Sequence, residues 1–261
     1  MVTLAFAADA TAQTADVASV FAAGSLRAAL VEAGREFEVA RAGTSVRFTF
    51  GASGLLKDRL LAGETADVFA SANMEHHPEA LSSAGKAGPS RRFARNAMCG
   101  PVRPGLEVTS GDLVRRMLDS AIKVGTSTPV ADPSGDYAWE VFRRIEQDGV
   151  ADAFNRLSTK ALQLTGGPAS PPPPPGPGSV YGNWVAQGGA DIFITYCTNA
   201  TIAQREKPQL RVVAVPEAIN VAASYGIAAL AGASKAGQEF VAFVLGPQGQ
   251  AILARHGFAP P

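Results

Sequence analysis

Three stretches of the 261-residue chain set a small hydroxyl side chain beside glycine just ahead of an apolar helical pattern: Gly24-Ser25-Leu26, Gly51-Ala52-Ser53-Gly54 and Pro133-Ser134-Gly135. A helix N-terminus offers unpaired N–H donors and about half a positive charge, so it attracts an anion without any cationic side chain. Ser25 is expected to be the N-cap of its helix, with its hydroxyl and the first free N–H groups aimed at one small volume. One such turn is an ordinary cap. Three in a single α/β chain point to an oxyanion site, because ligands of such folds collect beyond the carboxyl ends of the strands.

Other chemistries find less support. No GxxxxGK[ST] or GxGxxG is present, which disfavours nucleotide phosphate. Both serine turns miss the GxSxG elbow of hydrolases, so nucleophilic catalysis by Ser25 or Ser53 has no motif behind it and the chain reads as a binder, not an enzyme. His76 and His77 lie near Glu75 and Glu79. Adjacent residues on a helix point about 100° apart, so a shared metal site is not expected there. His256 lies at an apolar C-terminal helix and reads as a capping or surface residue.

The elements that would position these turns repeat a unit. Val17-Ala18-Ser19-Val20-Phe21 fits a buried strand, followed by a Gly-Ser turn and a helical pattern through Leu26, Ala29, Leu30, Ala33 and Phe37. Val46 to Phe50 alternates as a half-buried strand should, and runs into Ser53 and a second helix carrying Leu55, Leu56, Leu60 and Leu61. A third strand at 67–72, a helix at 111–119, a strand at 122–125 and a helix from Pro133 continue the rhythm of a parallel α/β sheet. Later strands are expected at 191–196 and 212–215, with two helices broken at Gly246-Pro247 closing the chain. Pro171 to Pro175, inside a proline-rich stretch at 168–177, favours polyproline II and is expected to be an exposed loop within one lobe.

Charge narrows the partners further. Lys and Arg total 23 and Asp and Glu total 23, so the formal charge is zero, which argues against nucleic acid or an anionic membrane as the main partner. Charged residues are 18% against about 25% in ordinary soluble domains, and apolar residues are 46%, enough for a sizeable core. Cys99 and Cys197 leave two readings open, a pair of buried thiols or one disulfide. Residues 1–15, apolar and then Ala-rich, read as the remnant of a secretory signal or a disordered terminus.

FAAGSL at 21–26, FGASGLL at 50–56, ADVFASA at 66–72, PSGDYA at 133–138, DIFITY at 191–196 and FVLGPQGQAILARHGF at 243–258 together resemble the periplasmic molybdate-binding proteins of ABC importers. The motifs come in the family's order. The resemblance implies a two-lobed periplasmic-binding-protein fold of type II, each lobe a mixed, mainly parallel sheet flanked by helices. It would place residues 16–97 and 199–261 in lobe one and 98–198 in lobe two. It implies that Ser25 and Ser53 give hydroxyl and N–H donors, Ser134 and Val180 give backbone N–H donors, and Tyr196 gives its phenol. The implied ligand is molybdate or tungstate, with no further cofactor and no protein-bound metal. The implied setting is a periplasmic monomer that hands its ligand to ABC permease subunits. Cys99 and Cys197 would fall near the crossover strands, where a hinge-proximal disulfide is a hypothesis.

A fully ionised tetrahedral dianion only accepts hydrogen bonds, so an all-donor site suits it and would reject protonated phosphate. Two carboxylates complicate that picture: Asp132 and Asp136 flank the Pro133-Ser134-Gly135 turn. Asp136 is expected to serve the helix dipole. A carboxylate facing the cleft would instead repel a dianion, or accept a proton or a metal, and favour another oxyanion, a small organic acid or a metal chelate. Asn73 also stands where the family often has aspartate.

Overall fold

The computed structural model describes residues 16–74 and 76–261, and only the backbone of His76. The expected signal remnant at 1–15 and Glu75 lie outside the described residues.

The first lobe begins with β1 (Asp16–Ala23), α1 (Arg27–Ala40), β2 (Thr44–Gly51), α2 (Ser53–Leu61), β3 (Val68–Ser71), α3 (His76–Ser83) and β4 (Arg91–Asn96). Only Ala97 then separates β4 from β5 (Met98–Val102), where the chain crosses to the second lobe. There follow α4 (Leu113–Leu118), β6 (Val124–Ser127), α5 (Pro133–Gln147), α6 (Ala153–Lys160), β7 (Leu162–Thr165), α7 (Val180–Ala186), β8 (Ile192–Phe193), β9 (Thr195–Tyr196), α8 (Cys197–Glu206) and β10 (Arg211–Ala214). The chain returns to the first lobe with β11 (Ala223–Ala229), α9 (Lys235–Leu245) and α10 (Pro247–Arg255).

The first sheet has the order β2-β1-β3-β11-β4, with β1 parallel to β2 and β3, and β11 antiparallel to β3 and β4. The second has the order β10-β5-β8-β6-β7, with β9 beside β5; β6 is parallel to β7 and β8, and β5 is antiparallel to β8, β9 and β10. The apolar stripe read from the sequence of α1 is the one it buries: Ala29, Leu30, Ala33 and Phe37 are each at most 3% exposed. Phe37 meets Phe240 and Phe243 of α9 edge-on, so the C-terminal helices close the first lobe. The proline-rich stretch runs on the outside of the second lobe between β7 and α7, as an exposed loop.

The lobe boundary needs correction. The resemblance implies that residues from 199 onward belong to lobe one, yet α8 packs on β5 and β10, and β10 pairs with β5 from Arg211↔Val102 to Ala214↔Cys99. The return crossing therefore lies at 215–222. A short apolar run such as Val212 to Val215 looks the same whichever sheet receives it, so its pattern holds no lobe assignment. Asn220 staples the two crossings: its Oδ1 accepts from Met98 N at 2.9 Å, and its Nδ2 donates to Met98 O at 3.1 Å and Val215 O at 3.0 Å.

Cys99 and Cys197 form a disulfide, with Cα atoms 4.7 Å apart. It joins β5 to the residue after β9, beside the Met98↔Tyr196 pair, and so fixes the backbone that carries Tyr196.

Candidate functional site

The register of the first sheet assembles half of the site. Ala23 of β1 pairs with Gly51 of β2, so the two strands end level and deliver Ser25 and Ser53 side by side. From the second lobe come Asp132, Val180, Tyr181 and Tyr196. These residues enclose a cavity of about 170 Å³ between the lobes. Such a volume is below the 300–1,000 Å³ of pockets for drug-sized ligands and fits a small ion.

Four of the five residues expected at the site line this cavity: Ser25, Ser53, Val180 and Tyr196. Their local settings differ from expectation. Ser25 is not an N-cap; Ala23 takes that position, and Ser25 lies inside a 3₁₀ turn, Gly24–Leu26, that precedes α1. Its Oγ lies 3.1 Å from the phenol oxygen of Tyr225. Asn96 Nδ2 donates to that phenol at 3.5 Å, so Tyr225 is able to donate to Ser25 and leave the Ser25 O–H for the cavity. Ser53 is the first residue of α2, capped by Ala52, and its Oγ accepts from Ala72 N at 3.1 Å. Its own proton then remains to be donated.

Tyr196 presents the clearest opening. Its phenol oxygen is buried and has no hydrogen-bond partner among the described residues, although it lines the cavity. Burial pushes its pKa well above the usual tyrosine value, with the nearby phenol of Tyr225 and the carboxyl of Asp132 adding to the effect. It therefore stays protonated, and a donor, across the physiological range. Burial likewise raises Tyr181 and Tyr225. All four tyrosines of the chain cluster here: Tyr196 packs against Tyr137 at 6.1 Å and Tyr225 at 5.5 Å between ring centroids.

Ser134 is the exception. It is fully buried, its Oγ meets Thr195 Oγ1 at 3.3 Å, and it is absent from the cavity wall. Its backbone N–H, expected to serve an anion, donates instead to Asp132 Oδ1 at 3.0 Å. Asp132 is the N-cap of α5 and its carboxyl is part of the cavity wall. The carboxyl faces the cavity but is otherwise enclosed by protein, and this desolvation pushes its pKa up to about 6 against the opposing donations of Ser134 and Ser127. Asp136 turns away from the cavity: its Oδ1 accepts from Val130 N at 2.8 Å. The wall is thus not made of donors alone.

Tyr225, Asn96, Tyr181 and Gly166 are the parts that sequence reasoning missed. Gly166 has φ of +80°, and a Cβ there would lie 2.5 Å from Asp132 Oδ2, so a glycine makes the room that the carboxyl occupies. Tyr225 stands 200 residues from Ser25, and nothing local marks it. Among the described residues no group of three or more His, Cys, Asp or Glu side chains is placed to hold a metal ion. His256 pairs with Glu32, Nε2 to Oε2 at 2.6 Å, away from the cavity.

Comparison with known proteins gives a consistent family. The bacterial extracellular solute-binding protein profile matches residues 18–259. The molybdate-binding protein ModA of Mycobacterium tuberculosis is 31% identical over 245 residues, covering 93% of this chain and 84% of that one. Among solved structures, the sulfate-binding protein SubI of M. tuberculosis superposes with a TM-score of 0.76 at 19% identity, over 94% of this chain and 87% of that one. The periplasmic molybdate-binding protein of Azotobacter vinelandii gives 0.71 at 19% identity, over 94% and 99%. The last two show the fold. With a cavity walled by serine turns from one lobe and a buried phenol from the other, the chain belongs to the bacterial extracellular solute-binding proteins, within the branch that includes the ModA proteins.

Proposed function

We propose that the protein captures molybdate or tungstate in the interlobe cavity and passes it to the membrane subunits of an ABC importer from the periplasmic side. The observation that carries this reading is the buried Tyr196 phenol, without a hydrogen-bond partner among the described residues and lining the same cavity of about 170 Å³ as Ser25 and Ser53. A desolvated donor left unmatched costs about 1–3 kcal/mol, and an oxyanion supplies the acceptor. Hydrogen bonds to a charged group contribute about 1.5–3 kcal/mol each, so a few of them support the roughly 8 kcal/mol of micromolar affinity after the cost of closing the lobes. The ModA relative, 31% identical and named for molybdate, supports this reading.

Asp132 favours a second reading. An anion that carries its own proton, such as hydrogen phosphate or a small organic acid, would donate to this carboxylate while accepting from the serines and the phenol. A thermal-shift panel separates the two. At about 100 times the Kd, molybdate or tungstate is expected to add about 2.7 kcal/mol and raise the melting temperature by about 5–10 °C. A shift with phosphate or carboxylates and none with molybdate, tungstate or sulfate at millimolar concentration would replace the first reading with the second.

A further inference from the structure

Asp132 occupies the position at which a helix N-terminus would otherwise meet the ligand. Its Oδ1 accepts from Ser134 N at 3.0 Å and its backbone carbonyl accepts from Gly135 N at 2.8 Å, so the first donors of α5 are consumed within the turn. What this end of the cavity presents is the remaining carboxylate surface, seated against Gly166. Among the described residues no Lys, Arg or His lines the cavity to balance it. The groups that face Asp132 are the hydroxyl of Ser127 from β6, the phenol of Tyr181 from α7, the phenol of Tyr196 in β9 and, along its own helix, the carboxylate of Asp136. The hydroxyl and both phenols are neutral and Asp136 adds negative charge, so none of them offsets a dianion beside Asp132.

We infer that Asp132 makes capture of a fully ionised oxyanion proton-coupled: as the dianion enters, the carboxylate takes up one proton from solvent, and the resulting carboxyl O–H donates to an oxyanion oxygen. The inference rests on the reading of this cavity as the oxyanion site. No bond to the anion forms or breaks; one proton moves from water to Asp132, and the cavity then meets the ligand with donors only. Burial already holds Asp132 at about 6, and a dianion in contact raises it further. By linkage, affinity is then flat below about pH 6 and falls about tenfold per pH unit above it, up to the pKa of the bound state. Asp132 in this way selects for ligand state as well as shape, since a protonated anion binds the ionised carboxylate without proton uptake.

The test is calorimetric titration of molybdate into the full chain at about pH 7.5 in two buffers of different ionisation enthalpy, Tris and HEPES, with affinities measured from about pH 6 to 8.5. Wild-type protein is expected to take up close to one proton per molybdate and to lose about tenfold in affinity from pH 7 to 8. Asp132→Asn keeps the cap acceptor for Ser134 N and is expected to take up none, with a flat pH profile. Molybdate binding to wild type with no proton uptake overturns the coupling and leaves the oxyanion reading intact, whereas an absence of molybdate heat in both proteins overturns both. Uptake that persists in Asp132→Asn overturns the assignment to this residue. Should the variant fail to fold, the wild-type proton count and pH profile decide the matter.

Discussion

In the proposed site Ser25, Ser53 and Tyr196 would donate from different supports, and this sets what each substitution should cost. Ser53 also accepts from Ala72 N, so Ser53→Ala strips a backbone donor of its partner as well as removing the proposed ligand contact. Tyr196 has no second task among the described residues. Tyr196→Phe is therefore expected to raise the melting temperature of the unliganded protein, by removing an unmatched buried donor, and to weaken molybdate binding by about 1.5–3 kcal/mol, some ten- to 150-fold, in a calorimetric titration. Ser25→Ala is expected to weaken binding by more than about 1 kcal/mol. Wild-type isotherms for both variants would remove them from the site. The serines were legible in the sequence because a Gly-Ser turn between a strand and a helix is a local signal. The state of Asp132 was not, since two carboxylates flank one turn and only their partners, Ser134 N for Asp132 and Val130 N for Asp136, decide which one faces the cavity.

The turn between β6 and α5 also touches the opposite lobe. Gly54 N, in the first turn of α2, donates to Ala131 O at 3.0 Å across the cleft, and a Cβ on Gly54 would lie 2.6 Å from the carbonyl oxygens of both Ala131 and Val130. Val130 itself has φ of +70°, costly for a β-branched residue, and is held there by Asp136. At this contact the lobes meet at backbone, with no flexible side chain to yield. Gly54→Ala is accordingly expected to hinder closure and weaken molybdate binding about tenfold or more, and small-angle scattering should show a smaller contraction on adding ligand than in wild type. Wild-type contraction and affinity would show that this contact does not limit closure. The repeating strand-turn-helix units gave away most elements, because periodicity is a local property. The sheet that receives β10 is set by a partner strand more than 100 residues away, Arg211 against Val102, which no local pattern records.

Over the whole molecule, the zero net charge fits the proposed reading: the cavity offers neutral hydroxyls and a phenol from two lobes beside the Asp132 carboxyl, and a small dianion held that way needs no excess of Lys or Arg. The two crossings at Ala97 and 215–222 are stapled by Asn220 and flanked by the Cys99–Cys197 disulfide, next to Tyr196. In the proposed reading a ligand held by the serines on one side and the phenol on the other would draw the lobes together about these crossings. Crystals grown with molybdate and measured at the molybdenum absorption edge test this arrangement. One anomalous peak is expected in the interlobe cavity, within hydrogen-bonding distance of Ser25, Ser53 and the Tyr196 phenol. An empty cavity at saturating molybdate, or a peak that none of these three residues touches, would contradict it.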